Sequence, residues 1–241
     1  MRIVRPLIIA AGLIFLWQVI VWLSDAPHFI LPSPANVAIA WWENHLMIFH
    51  HAGITLLEIG LGLLFGTALG ISSALTMAYF RPARRWLLPV LVASQAIPVF
   101  ALAPILVLWL GYGIPSKAAM ATLIIYFPVT AGFFDGLRRT EPGWTDLART
   151  MKASRWTVLI HIRVPAALPA LASGLRIATA VAPIGAVVGE WVGASAGLGY
   201  LMLHANGRLQ TDLMFAALLT LAVFAVLIYF IVDGSLRRAL P

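Results

Sequence analysis

Six apolar stretches, each close to the length that crosses a bilayer and nearly free of charge, dominate this chain and leave it few ways to fold. A helical span takes about 20 mostly apolar residues to traverse a hydrocarbon core ~30 Å thick. In lipid every backbone polar group must be satisfied internally, so such stretches become helices. They run over 6–23, 54–79, 86–110, 118–134, 166–190 and 213–232. Only 10% of the 241 residues are charged, against about 25% in a soluble domain. The pattern predicts an all-α, polytopic membrane protein with six transmembrane helices, built as one domain over 1–241.

Orientation follows from the positive charge, because Lys and Arg near span ends stay on the cytoplasmic side. An inside N-terminus places 14 of the 16 basic residues on that side and only Lys117 and Arg208 outside. Both termini are therefore expected in the cytoplasm. The +7 net charge is distributed over span ends rather than one soluble face, which argues against nucleic-acid binding. The first apolar run, 6–23, exceeds a signal-peptide core of about 7–15 residues, and Pro27 fits cleavage poorly, so it reads as a retained span. Cysteine is absent, which excludes thiol chemistry.

In the longest outer connection, Leu31-Pro32-Ser33-Pro34 reads as a turn followed by a short helix from Ala35 at the membrane surface. Trp41 and Trp42 suit that level. His45, His50 and His51 lack a carboxylate or cysteine to complete a metal site and read as solvated. Gly62, Gly66 and Gly70, and again Gly185, Gly189 and Gly193, are spaced by four and mark faces where helices pack closely. "GYGIPSKA" is not a phosphate-binding loop: Ser116 replaces its second glycine and Ala118 its Ser or Thr. With no other catalytic motif, the chain is not expected to be an enzyme or to bind a cofactor.

One stretch breaks the apolar pattern: "TDLARTMKASRWTVLIHIRVPAALP", residues 145–169. On a helical projection Leu147, Met151, Val158 and Ile162 share one face, while Arg149, Lys152 and Arg163 lie opposite. Thr145 is a candidate N-cap, and Pro165 is the expected end. By the charge rule this amphipathic segment, about 141–165, is cytoplasmic.

Its residue order resembles the cytoplasmic signature of permease subunits of bacterial ATP-binding-cassette importers: Glu-Ala-Ala, three residues, Gly, nine residues, Ile-x-Leu-Pro. Here Asp146 stands for the Glu, Leu147 and Ala148 for the alanines, Lys152 for the Gly, and Ile162, Val164 and Pro165 close the motif. The Lys152 departure puts the family's bend between two short helices in question. "LPSPANV", "TLLEIGLGLLFGTALGI", "FPVTAGFFDGLRRTEP" and "GEWVGASAGLGYLM" extend the resemblance to the taurine, sulfonate and nitrate type of permease. "ASQAIPVFALAPILVLWLGYG" is similar to permeases for the hydroxymethylpyrimidine precursor of thiamine.

The resemblance implies a type I importer permease fold in the bacterial inner membrane. A second copy of the chain would complete the pathway, two ATPase subunits would hold the ATP and magnesium, and a periplasmic or lipid-anchored binding protein would deliver the solute. It further implies that the segment docks on the ATPase, through Asp146, Ala148, Ala153, Ser154 and Ile162 to Pro165. Met151, Trp156 and Leu159 are the expected apolar anchors, with Arg149, Lys152, Arg155 and Arg163 orienting the contact. Pathway candidates are Ser94, Gln95, Pro98 and Phe100 in the third span, where prolines free backbone carbonyls, and Glu190 with Trp191 at the outer mouth. Glu58, an ionisable residue within the second span, is by default a functional candidate, yet it lies close enough to the outer end to read as simply hydrated. An ion-coupled carrier, which relies on several intramembrane charges, is the rival class.

Overall fold

The computed structural model describes residues 4–239, with side chains from Ile8 onward; Arg2 lies outside them, as does the side chain of Arg5. The chain is helical throughout: α1 (Val4–Ser24), α2 (Pro34–Tyr79), α3 (Arg81–Ser94), α4 (Val99–Leu110), α5 (Ile114–Arg138), α6 (Pro142–Thr150), α7 (Arg155–Val158), α8 (Val164–Trp191), α9 (Leu198–Gly207) and α10 (Thr211–Ala239). A five-residue π-helical turn, Leu159–Arg163, joins α7 to α8. Among the described residues four helices are long and apolar enough to cross a membrane, and the bent pair α3–α4 makes a fifth. The described apolar part of α1, Ile8–Ser24, is shorter, so the count reaches five spans and one shorter apolar helix.

The backbone bears on two sequence expectations. The separate surface helix from Ala35 does not exist: α2 is one helix of 46 residues, roughly 69 Å long. No proline or turn interrupts 35–79, so the hydrogen-bond ladder continues from Ser33, whose Oγ caps the start by accepting from the Asn36 amide at 3.2 Å. Trp41 is accordingly turned inward, and its Nε1 donates to Thr220 Oγ1 of α10 at 3.0 Å; Trp42 remains exposed. The third span is broken rather than continuous, with α3 and α4 meeting at 104° across residues 95–98. Pro98 lacks the amide needed to continue the ladder and sits just before α4.

The core is α5 held between α2 and α8. A Cβ on Gly66 would lie 2.6 Å from Ile125 of α5, and one on Gly70 would lie 2.8 Å from Val129. From the other side Gly185 approaches the Ala121 backbone, where a Cβ would sit at 2.7 Å, and Gly174 approaches the Pro128 carbonyl at the same distance. Lipid gives helices no hydrophobic reason to associate, so contact depends on such small residues, which let backbones approach until dispersion and weak polar contacts hold them. Gly193, grouped with Gly185 and Gly189 by spacing, lies beyond α8 in a loop with φ +74°, packed on Tyr112.

Gly66→Leu is expected to lower stability by roughly 1–3 kcal/mol through overpacking. Gly60→Leu, where a Cβ meets nothing within 4 Å, should leave the thermal unfolding midpoint in detergent nearly unchanged. Equal behaviour of the two variants would show that the glycine face does not set the helix contact.

Candidate functional site

A cavity of about 800 Å³ lies between α5, α8 and the α3–α4 break. Its wall is mostly apolar, and Gln95, Asp135, Arg139 and Ser173 supply the polar groups. Ile177 and Ile184 on that wall are 55% and 56% exposed. Of the sequence candidates only Gln95 lines it. Ser94 Oγ donates to the Leu91 carbonyl at 2.7 Å, Pro98 forms the corner of the break, and Phe100 and Trp191 are exposed elsewhere. Asp135 and Arg139 escaped the sequence reading because each sits at a span end, where charge is ordinarily attributed to topology, and Ser173 because it is one hydroxyl inside the apolar run of α8.

Glu190 is buried at the end of α8 and caps a helix instead of facing the cavity. The start of α9 leaves backbone N–H groups without intrahelical partners, and three side chains receive them. Gly197 N donates to His51 Nδ1 at 3.0 Å, Leu198 N to Thr55 Oγ1 at 2.8 Å, and Gly199 N to Glu190 Oε2. Thr55 Oγ1 in turn donates to Glu190 Oε1 at 2.6 Å. A carboxylate at a helix N-terminus is also favoured by the helix dipole. Only glycine fits at 197, where φ is +117° and a Cβ would overlap the Glu190 carboxyl group.

Two further ionisable groups share this region. Lys117 is 2% exposed and its Nζ donates to the carbonyls of Tyr112 at 2.7 Å and Gly193 at 3.0 Å, tying the loop before α5 to the loop after α8. Glu58 is also 2% exposed, and its Oε2 has no hydrogen-bond partner among the described residues. The expectation that Glu58 is hydrated is corrected, and Lys117, placed outside by the charge rule, is buried at the start of α5. Each is drawn inside because α2, α5 and α8 converge there. His51, expected to be solvated, is half-buried in the same network. No group of three or more His, Cys, Asp or Glu residues able to hold a metal occurs among the described residues.

At the opposite end the charged segment is two helices with a bend, not one helix. Lys152 adopts φ +57°, the left-handed conformation that glycine reaches without steric cost. The bend survives the substitution because the Ala153 amide reaches back to the Ala148 carbonyl at 3.0 Å and Ser154 Oγ caps α7 at the Thr157 amide. Thr145 is not the cap of α6, which starts at Pro142; its Oγ1 donates to the Pro142 carbonyl. Pro165 does not end the segment either. The π turn widens the backbone so that Val164 N bonds Leu159 O, and Pro165 falls in the first turn of α8, where a proline is tolerated.

Leu159, expected as an anchor for a partner, is 1% exposed and packs in this chain's own core with Met77, Phe134 and Leu137. Ala148 is also buried. Trp144, Leu147 and Met151 remain exposed on α6 beside an apolar groove that includes Ile162 and Pro165. Trp156 is exposed and packs edge-on against Tyr79 at 5.6 Å. Asp146 pairs with Arg149 at 2.8 Å, while Arg155 is exposed.

Residues 66–240 match the family described as the binding-protein-dependent transport system inner membrane component. The chain belongs to that family. This permease is 55% identical over 237 residues to a probable ABC transporter permease protein of Haemophilus influenzae, covering 98% of this chain and 97% of that one. It is 37% identical to the formylaminopyrimidine transport permease of Halalkalibacterium halodurans, over 92% of this chain and 89% of the relative. It is 39% identical to the riboflavin transport system permease of Chloroflexus aurantiacus, over 95% and 85% respectively. Its fold matches a chain of the inward-facing MetNI methionine ABC transporter with a TM-score of 0.70 at 19% identity, covering 81% of this chain and 97% of that chain. The permease is thus a multi-pass inner-membrane subunit of an ABC importer, which works with an ATPase and a solute-binding protein. It is a transporter subunit and not itself an enzyme.

Lys117→Met leaves the Tyr112 and Gly193 carbonyls without their donor and is expected to lower stability by about 1–3 kcal/mol. Glu58→Gln, which loses no hydrogen bond at Oε2, should shift the unfolding midpoint far less. A midpoint unchanged by Lys117→Met would show that this side chain does not hold the two loops together. In the bend, Lys152→Gly should preserve stability and Lys152→Val lower it by about 1–2 kcal/mol, read by the same unfolding measurement.

Proposed function

We propose that this permease forms half of the translocation pathway for a small heteroaromatic solute, with a hydroxymethylpyrimidine-like thiamine precursor as the best candidate. A second copy of the chain completes the pathway, both termini face the cytoplasm, and the segment from Pro142 to Arg163 docks on two ATPase subunits that carry the ATP and magnesium. The observation that supports this reading best is the cavity between α5, α8 and the α3–α4 break. It is largely apolar with a few polar groups, a lining suited to a flat, weakly polar ring. Its exposed isoleucines call for a neighbouring surface.

Two relatives named for formylaminopyrimidine and riboflavin transport support a ring-containing solute. Relatives named for aliphatic sulfonates and taurine, at 30% and 28% identity, keep a sulfonate as the second reading. Docking is helix-in-groove recognition through the exposed Trp144, Leu147 and Met151. ATP-driven closure of the ATPase pair then moves α8 directly, because Arg155–Trp191 is one continuous helical unit of 37 residues. That motion opens and closes the two ends of the pathway in turn.

The solute is tested by titrating the companion binding protein with hydroxymethylpyrimidine, formylaminopyrimidine, riboflavin and taurine, then measuring ATP-dependent uptake in proteoliposomes. Uptake of taurine alone would overturn the heteroaromatic assignment. Docking is tested by Ala153→Asp, which places a carboxylate in the half-buried bend at a cost of several kcal/mol. ATPase co-purification and uptake should both fall; retention of both would remove the segment from the coupling role.

A further inference from the structure

A second cavity, of about 660 Å³, opens at the arginine-rich end, between the end of α2, the start of α3, the end of α5 and the α6–α7 bend. Arg81, Arg84, Arg138, Arg149, Arg155 and Arg163 line it, against the single carboxylate of Asp146. Asp146 is paired with Arg149. Arg163 points its Nε and Nη2 at the Leu137 carbonyl, at 2.9 and 2.7 Å, which anchors it but leaves its charge unneutralised. Arg138 lies over the Phe134 ring at 5.6 Å. Five positive charges therefore converge on one concave surface with no anion paired to them among the described residues.

The level of this cavity is fixed by aromatic residues around it. Tyr79 lines the cavity, with Phe80 and Trp156 packed edge-on against it, and Trp86 is exposed one turn into α3. Such amphipathic rings concentrate at the headgroup level of a membrane. Guanidinium groups held there meet phosphates, which they recognise through paired N–H donors. The arginine side of α6 is also distinct from its exposed apolar side: Thr145, Asp146 and Arg149 face this cavity, whereas Trp144, Leu147 and Met151 border the separate apolar groove.

We propose that this cavity binds the phosphate groups of an anionic membrane lipid. Spread over several guanidinium groups, it fits a headgroup carrying two phosphates better than one carrying a single phosphate. Bound there, the lipid bridges α2, α5 and the α6–α7 bend and offsets the repulsion among the arginines. The assignment requires only that the chain sits in a membrane, so it holds whether or not the pathway and solute proposed above are correct.

The test uses the full transporter, permease with its ATPase, exchanged into nanodiscs of phosphatidylcholine with or without cardiolipin or phosphatidylglycerol. Lipid retained after extraction is counted by native mass spectrometry, and thermal midpoints are measured in parallel. Cardiolipin should be retained by the wild type and should raise the midpoint more than phosphatidylglycerol does. Arg84→Ala with Arg138→Ala should weaken that retention by about tenfold to thirtyfold, while Arg84→Lys with Arg138→Lys should keep most of it.

Equal retention by the alanine pair would overturn the proposal. Full displacement of the lipid by inorganic phosphate would overturn it in favour of a soluble anion. Unchanged lipid retention with lost ATPase co-purification would assign these arginines to the protein partner instead. If the alanine pair does not fold, the wild type decides: the proposal fails if cardiolipin and phosphatidylcholine are retained alike.

Discussion

The close approach of α5 to α2 on one side and to α8 on the other is the contact on which the remaining structure depends. It is made at Gly66, Gly70, Gly174 and Gly185, where a single added carbon would meet a neighbouring helix within 2.9 Å. In water such a core would be drawn together by burial of apolar area. In lipid that force is missing between helices, and association rests on short-range packing that a methyl group is enough to spoil. The cavity beside the α3–α4 break, the group of Glu58, Lys117 and Glu190, and the arginine cavity all lie along this same trio of helices.

The two ends of the trio are treated oppositely. At the Glu190 end two of the three buried ionisable groups are hydrogen-bonded: Glu190 accepts from the Gly199 amide of α9, and Lys117 donates to loop carbonyls, while Glu58 Oε2 has no partner among the described residues. Ionisable groups inside a membrane are costly unless so partnered. At the other end guanidinium groups gather around a cavity with a single carboxylate.

Continuity of the helix from Arg155 to Trp191 connects these ends. It begins at the Ser154 cap beside the bend, passes the cavity wall at Ser173 and Ile177, and ends beside Glu190 and the α9 cap. The π turn is what makes the unit continuous, since it accommodates Pro165 without a break. The bend, the cavity wall and the α9 cap are thereby joined by a single helical element.

The all-helical class, five of the spans and the presence of a distinct charged segment were legible in the sequence, because lipid imposes length and apolarity on a span regardless of its neighbours. The spacing from Asp146 to Pro165 also carried the family, although Lys152 and Val164 depart from its pattern. Partners of individual polar residues were not legible. Glu58 looks hydrated from its place near a span end and Lys117 reads only as a charge just outside the fourth span, and only the convergence of α2, α5 and α8 buries them. Leu159 looks like a partner's anchor on a helical wheel, yet the fold turns it into its own core. Local sequence settled what each segment must be in lipid, since that depends on hydropathy and backbone hydrogen bonding alone. Tertiary structure decided which side chains meet, because close helix contacts bring together residues more than a hundred positions apart, such as Thr55 and Glu190.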